Sequence, residues 1–253
     1  MVSFVQKVIQ SGARRLGYRL QSYASAPYGL DPWRDLGRLA GVWKIDLATA
    51  FDVGANTGQT ASLLKKMWPA LRIVCFEPTP DTFEILQQTV SGLSGVTAQN
   101  IGLGASPGTF DLFTYPGDPL LNSLGPRSPF TVRFASKYDP MMKKVSCTVR
   151  TLDEVRRELG IERINLLKID TEGFDLQVLE GAQESLREGR IDFVYVEFNT
   201  VLPKEGITGT ALSPLAAFLQ PFGLNLVSTY TDYLVTTGEF FSSFNALFAR
   251  QQA

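Results

Sequence analysis

Short apolar runs alternate along this chain with stretches in which apolar residues recur at helical spacing. Residues 48–53 form an apolar run, interrupted by Asp52, that leads directly into Gly54-Ala55-Asn56-Thr57-Gly58. Residues 59–68 place Leu63, Leu64 and Met67 on one helical face. Residues 72–76 are β-branched and apolar, which predicts a strand buried on both faces, ending at Glu77-Pro78. Pro80 suits the first turn of a helix, Asp81 and Glu84 suit its positive end, and Phe83, Leu86 and Val90 line its inner face until Gly92 stops it.

The alternation continues beyond this helix. Residues 96–101 read as a third strand, 109–115 as a fourth piece of sheet and 145–149 as a short strand. Thr151 and Glu154 have the spacing of a capping box. Residues 164–169 are another buried strand and end in Asp170-Thr171-Glu172-Gly173. Leu176, Leu179, Ala182 and Leu186 form a helical stripe closed by Gly189. A strand at 191–198, a helix at 212–219 and two closing strands at 224–228 and 244–249 complete the pattern. This order predicts a mostly parallel, doubly wound α/β sheet with helices on both faces. Ligands of such sheets bind beyond the carboxyl ends of the strands. Gly54–Thr57, Glu77, Asn100, Asp170, Glu172, Glu197 and Asn199 therefore gather along one edge.

Two regions depart from the alternation. Residues 116–144 hold Pro116, Pro119, Pro126, Pro129 and Pro140 without periodicity. They read as an insertion on the binding face, with Asn122, Ser123, Arg127, Arg133 and Tyr138 as substrate-facing candidates. Residues 1–40 read as an N-terminal helical or lid segment ahead of a single domain over 41–253, with a short helix at 35–39. Residues 1–30 carry Lys7, Arg14, Arg15 and Arg19 and no acid, whereas the remainder carries 20 basic and 25 acidic residues. Phe4, Val5, Val8, Ile9, Leu16 and Leu20 recur there at roughly helical spacing, which fits either a helix packed on the domain or peripheral contact with a membrane surface.

Composition narrows the chemistry. With 44% apolar and 19% charged residues the balance is globular, and a net charge of −1 gives no electrostatic case for nucleic acid. Cys75 and Cys147 sit in strand-like surroundings and read as buried free thiols, consistent with a cytoplasmic protein. No apolar run approaches the ~20 residues of a membrane span. The chain has no histidine. This excludes Ser-His and Cys-His nucleophiles and histidine-based metal centres, and it leaves proton transfer to Asp, Glu, Lys, Tyr or water.

The turn at 52–58 lets backbone approach a ligand closely, with N–H groups of the following helix start expected to point at it. Glu77, at the end of the next strand, is placed to accept hydrogen bonds from both hydroxyls of a ribose. A dinucleotide loop wants G-x-G-x-x-G, but here Asn56 occupies the second glycine position and no Lys or Arg is offered to a phosphate. Asp52 adds negative charge instead. S-adenosylmethionine, with its ammonium and sulfonium and no phosphate, fits these residues better than a nicotinamide dinucleotide.

The residues 51–58 (FDVGANTG), Phe76-Glu77-Pro78, Asn122-Ser123, and 167–175 (LKIDTEGFD) followed by Leu179-Glu180-Gly181-Ala182 resemble the FkbM family of methyltransferases. The resemblance covers roughly residues 41–197. It implies a Rossmann-like class I methyltransferase fold with a seven-stranded sheet and S-adenosylmethionine as cofactor. It also implies O-methylation of a hydroxyl on a sugar, glycolipid or polyketide-type product. By the same resemblance Gly54, Asn56 and Gly58, with Asp52 and Thr57 in the same loop, hold the methionine part, Glu77 the ribose, and Asn100 the adenine.

Methyl transfer from a sulfonium is an in-line displacement that needs alignment and removal of a proton from the acceptor. Asp170, Glu172 and Glu197 are the candidate bases, and Asp170 could instead hold the cofactor's amino group. Glu172 has a rival role in capping the helix that starts near Asp175. Lys168, inside an apolar strand, is an ion-pair partner or a catalytic group. Asp170, Glu197 and Asn199 are oxygen ligands acceptable to Mg²⁺, so a divalent cation is an elaboration the sequence allows without requiring. A nicotinamide-dependent oxidoreductase and a cofactor-binding protein without turnover are the rival functions.

Overall fold

Asp52 and Lys168 lie in two strands that pair side by side, and that register organises the centre of the sheet. The computed structural model describes residues 4–17, 26–115, 122–124, 142–199, 210–235 and 241–251. The seven-stranded sheet contains β1 (Thr49–Val53), β2 (Arg72–Phe76), β3 (Val96–Gln99), β7 (Ile164–Ile169), β8 (Ile191–Asn199), β9 (Leu224–Val235) and β10 (Phe241–Arg250). Their spatial order is β3-β2-β1-β7-β8-β10-β9. The first five run parallel, and β10 is antiparallel to both of its neighbours. Chain order reverses between β1 and β7, the switch point at which open α/β sheets bind ligands.

Helices cover both faces. On one side, α2 (Pro32–Trp43), α3 (Gln59–Met67) and α4 (Pro80–Val90) bury Leu36, Ala40, Ala61, Leu64, Leu86 and Val90 against Ala50, Ile73, Leu166 and Phe193. On the other, α5 (Leu152–Glu158), α6 (Asp175–Glu180), α7 (Gln183–Arg187) and α8 (Leu212–Leu219) bury Leu152, Val178, Leu186 and Leu215 against Phe51, Val74, Leu167 and Val194. Alternation along β1 and β7 puts Asp52 and Lys168 on the side of Ala50 and Leu166. Asp52 pairs with Lys168 in the strand register. Both charges are thus enclosed in an apolar layer, where they need one another.

Several sequence expectations change in the folded chain. The third strand stops at Gln99, and Gly102–Leu103 (β4) crosses to a separate three-stranded sheet with β5 (Gly108–Thr114) and β6 (Lys143–Arg150), ordered β4-β6-β5. The stripe from Leu176 to Leu186 is two short helices, because the chain bends at Gly181, where a Cβ would collide with the Gly104 carbonyl. Asp153 then caps α7 from the start of α5, its carboxylate accepting from Glu184 N at 2.8 Å and Ser185 N at 2.9 Å. The two closing strands are longer than their apolar cores suggest, since pairing with each other extends them through two register shifts. The capping box at Thr151 and Glu154 is present.

A boundary at residue 41 falls inside α2, whose Leu36 and Ala40 belong to the core, so 32–40 pack as part of the sheet's helical layer. Asp35 anchors this helix, accepting from Gly29 N at 2.8 Å and from the Tyr230 hydroxyl at 2.9 Å. The N-terminal helix α1 (Phe4–Arg15) leaves Ile9 and, just beyond its end, Leu16 exposed. No described helix is long and apolar enough to cross a membrane. Most of the insertion, including Arg127, Arg133 and Tyr138, lies outside the described residues. Both cysteines are buried and unpaired.

Candidate functional site

A cleft of ≈ 290 Å³ opens at the carboxyl ends of β1, β2 and β7. Gly54, Asn56, Glu77, Lys168, Asp170 and Glu172 line it, together with Thr79, Asn122 and Ser123. Asp52, Thr57, Gly58, Asn100 and Glu197 are not among its lining residues.

The loop after β1 is held in place by β2. Gly54 N and Ala55 N both donate to the Phe76 carbonyl at 3.0 Å, Asn56 N donates to Glu77 Oε2 at 3.1 Å, and Gly58 N donates to the Ala55 carbonyl at 2.9 Å. These four N–H groups are used within the chain, while Gln59 and Thr60, which open α3, line the cleft. Asn56 adopts a φ of 48°, a left-handed conformation that Asn tolerates better than most residues. Gly54, at φ 73°, is required by its neighbour, since a Cβ there would collide with the Asp170 carbonyl. Gly58 packs against Leu86, Thr89 and Val90 of α4, where a Cβ would come within 3.1–3.3 Å. Its role is to bring two helices together, away from the cleft.

Glu77 is only 6% exposed. Its Oε1 accepts from Thr79 N at 2.9 Å and its Oε2 from Asn56 N at 3.1 Å. Burial raises its pKa, and the Thr79 and Asn56 donors work in the opposite direction. The Thr79 side chain is a third donor, and a carboxylate offers about four acceptor directions, so Glu77 still has room for a donor from the cleft. Asn100 Nδ2 donates to the Glu77 backbone carbonyl at 2.8 Å. In this arrangement Asn100 braces the end of β2 and does not face the cleft.

Lys168 connects the two halves of the site. Its Nζ donates to the Gly54 carbonyl at 3.1 Å and stands 3.1 Å from Asp52 Oδ1 and 3.5 Å from Asp170 Oδ2. Burial alone would pull the ammonium down, but Asp52 and Asp170 outweigh it and hold its pKa above the ordinary lysine value. A lysine so engaged stays charged and fixes the loops after β1 and β7. Neither Asp52 oxygen has an aligned hydrogen bond among the described residues, so the ion pair is its one described polar partner.

The loop after β7 is shaped by a residue with no role in the sequence reading. Asp175 Oδ1 accepts from Thr171 N at 3.1 Å and Thr171 Oγ1 at 3.2 Å, while Oδ2 accepts from the Thr210 hydroxyl at 3.2 Å. Burial and then Asp170 push its pKa up to about 6. An Asp four residues after Thr171 at a helix start was the available signal. Glu172 takes a φ of 53° that turns the chain at the cleft wall, and the N-cap position of the following helix is Phe174. Asn122 and Ser123 close the cleft from the small sheet. Asn122 Nδ2 reaches Thr79 Oγ1 at 3.3 Å, and Ser123 Oγ donates to the Glu172 carbonyl at 3.3 Å.

Glu197, at the end of β8, is buried, and the Ser243 hydroxyl donates to its Oε1. Burial, then Asp170, Glu172 and Asp175, raise its pKa well above the ordinary glutamate value. One oxygen from each of Asp170, Glu172 and Glu197 lies within 4.8 Å of the others. Asn199 donates its backbone N–H to the Thr210 carbonyl at 2.8 Å.

Taken as a receptor, the cleft presents Glu77, Asp170 and Glu172 against one cation among its described lining residues, Lys168, that is already engaged. It suits a ligand with positive charge, a vicinal diol and no phosphate, and S-adenosylmethionine is such a molecule.

Residues 52–233 match the model of the methyltransferase FkbM domain. Methyltransferase sdnD of Sordaria araneosa is 33% identical over 154 residues, 53% of this chain and 60% of that protein. The 2-O-methyltransferase NoeI of Sinorhizobium fredii is 25% identical over 154 residues, 58% of this chain and 62% of NoeI. The 31-O-demethyl-FK506 methyltransferase FkbM of Streptomyces tacrolimicus is 29% identical over 200 residues, covering 70% and 73%. The chain spans about three fifths of the length of the first two. The strand order, with its single antiparallel strand, is the class I methyltransferase arrangement. On the family match across most of its length, this chain belongs to the FkbM methyltransferase family.

Proposed function

We propose that this chain transfers a methyl group from S-adenosylmethionine to a hydroxyl of a sugar, glycolipid or polyketide-type acceptor. The observation that carries the reading is Glu77, a buried carboxylate lining the cleft with one backbone N–H on each oxygen. Ribose hydroxyls complete it. The carboxylates Glu77, Asp170 and Glu172 in the cleft lining speak against a dinucleotide's phosphates, and so against the oxidoreductase. Oxygen as the methylated atom is supported by the names of two relatives, the 2-O-methyltransferase and the 31-O-demethyl-FK506 methyltransferase.

The acceptor hydroxyl enters at the Asp170–Glu172 end. Its oxygen attacks the methyl carbon in line, the C–S bond breaks, and the sulfur leaves as the neutral thioether of S-adenosylhomocysteine. The hydroxyl proton passes to the Asp170–Glu172 carboxylates, because the chain has no histidine. Alignment in the cleft supplies the larger share, up to ~7–11 kcal/mol in favourable cases, and the base adds ~10²–10⁴-fold. Lys168 positions Asp170 and the Gly54 carbonyl and takes no proton.

Calorimetric titration with S-adenosylmethionine, repeated on Glu77→Ala, tests this. Two charge-assisted hydrogen bonds at ~1.5–3 kcal/mol each predict at least about 100-fold weaker binding in the variant. Equal binding, or none by a folded wild type, defeats the reading. A screen of hydroxylated sugars, glycolipids and polyketide-type products then identifies the acceptor.

A further inference from the structure

Where β7 and β8 end side by side, three carboxylates converge beyond those that the cofactor's ribose requires. Ile169 pairs with Val196, so Asp170 and Glu197 follow as the next residues on two adjacent strands. The loop after Asp170 brings Glu172 back to the same place, and one oxygen from each of the three lies within 4.8 Å of the others.

An acidic cluster alone proves little, and what distinguishes this one is Glu197. Asp35, Asp153, Asp175 and Asp192 are buried carboxylates in which both oxygens receive hydrogen bonds from the chain. Asp52 is the partial exception, and it has Lys168 beside it. Glu197 is 8% exposed, has Ser243 on Oε1, and has no partner on Oε2 among the described residues. The neighbours nearest in charge are acids. A buried carboxylate facing other carboxylates is unfavourable by several kcal/mol unless a cation joins them.

We propose that Asp170, Glu172 and Glu197 bind one hard divalent cation of the Mg²⁺ class, which gathers the acceptor's oxygens at the reacting end of the cleft. The donor set is oxygen only, which selects Mg²⁺, Mn²⁺ or Ca²⁺ over zinc or copper. Ligand distances of about 2.1 Å for Mg²⁺ and about 2.4 Å for Ca²⁺ keep oxygens on one ion no more than roughly 4.2–4.8 Å apart, and the three oxygens here lie within 4.8 Å of one another. A cation in this position lowers the pKa of a hydroxyl that it touches, a service that histidine cannot perform in this chain. The site deepens the methyl-transfer reading and rests on it for its purpose, although not for its existence.

The test is Mn²⁺ titration of the full chain followed by electron paramagnetic resonance, with S-adenosylmethionine calorimetry on the same samples. The expected result is one Mn²⁺ per chain, displaced by Mg²⁺. Glu197→Gln should weaken it at least tenfold while cofactor affinity stays within twofold of wild type. Glu172→Gln, at a less buried position, should weaken Mn²⁺ in the same way and guards against a folding defect in the first variant. A wild type that binds cofactor but no stoichiometric Mn²⁺ overturns the proposal and leaves Glu197 neutralised by a proton. Mn²⁺ bound equally by wild type and both variants also overturns it, as an adventitious surface ion. Mn²⁺ binding without cofactor binding would leave the metal site standing and defeat the methyl-transfer reading instead.

Discussion

The strands β1, β7 and β8 bear polar side chains at both of their ends, and the two ends are built on opposite principles. At the amino ends, Asn165 Oδ1 accepts from Ala48 N and Thr49 N, both at 2.9 Å, and its Nδ2 donates to Asp192 Oδ2 at 2.9 Å. The other Asp192 oxygen is paired with Arg163. At the carboxyl ends, among the described residues, a single ammonium, Lys168, serves Asp52, Asp170 and the Gly54 carbonyl, while Glu197 keeps an oxygen without a partner. The backbone pairing is shared, so the contrast lies in the side chains. One edge satisfies itself and fastens the sheet. The other carries an electrostatic cost that only a ligand, an ion or a proton can offset, as expected of a working site.

The contrast can be broken most sharply at Asp170. Asp170→Asn should lower methyl transfer by about 10²–10⁴-fold, the usual worth of a general base. It should leave the thermal midpoint near wild type, because the Asp170 side chain is 41% exposed. Turnover and calorimetric melting on one preparation check both halves. At the opposite edge the pattern should invert. Asn165→Ala leaves two strand-start N–H groups and Asp192 without a partner and should reduce stability by about 3 kcal/mol in urea unfolding, with cofactor affinity unaltered.

Asp175 sharpens the comparison through pH. Folded Asp175 holds its proton to about pH 6, whereas an ordinary aspartate releases it near 3.8. The folded state therefore binds the proton more tightly, and the associated stability is full below about pH 4 and lost as pH rises through about 6. Relative to Asp175→Asn, wild type should lose about 2 kcal/mol over that window, read from urea midpoints in chelator at several pH values. A flat difference would remove the raised value. Glu197→Gln gives the smallest effect. In chelator at neutral pH it should stabilise the chain by about 1 kcal/mol, since it removes the cost of charging or protonating a buried acid beside Asp170, Glu172 and Asp175 and keeps an acceptor for Ser243. A destabilised variant would mean that the carboxylate has a partner in the fold after all.

The central strands were legible because residues buried on both faces must be apolar, which makes β2 and β7 readable as runs. Glu77 and the loop after β1 were legible because a short run followed by a polar residue marks a strand's end. What the loop does with its N–H groups was not, since the Phe76 carbonyl and Glu77 that take them lie on another strand. Asn100 looked like a ligand contact by position, yet its amide turns back on the Glu77 carbonyl. The side sheet was missed because β4 is two residues long and has no pattern of its own.

The sequence by itself determined the alternation of strands and helices, the absence of imidazole chemistry and the edge along which polar residues collect. Each follows from local patterning or from composition, and neither depends on partners far along the chain. Only the tertiary structure decided which of those polar residues belong to a site. Asp52 and Lys168 are 116 positions apart and become an ion pair through strand register. Asp170, Glu172 and Glu197 become a cluster because β7 and β8 are neighbours. A buried charge is structural or functional according to whether its partners lie within the fold, and that is settled by packing, which no local pattern records.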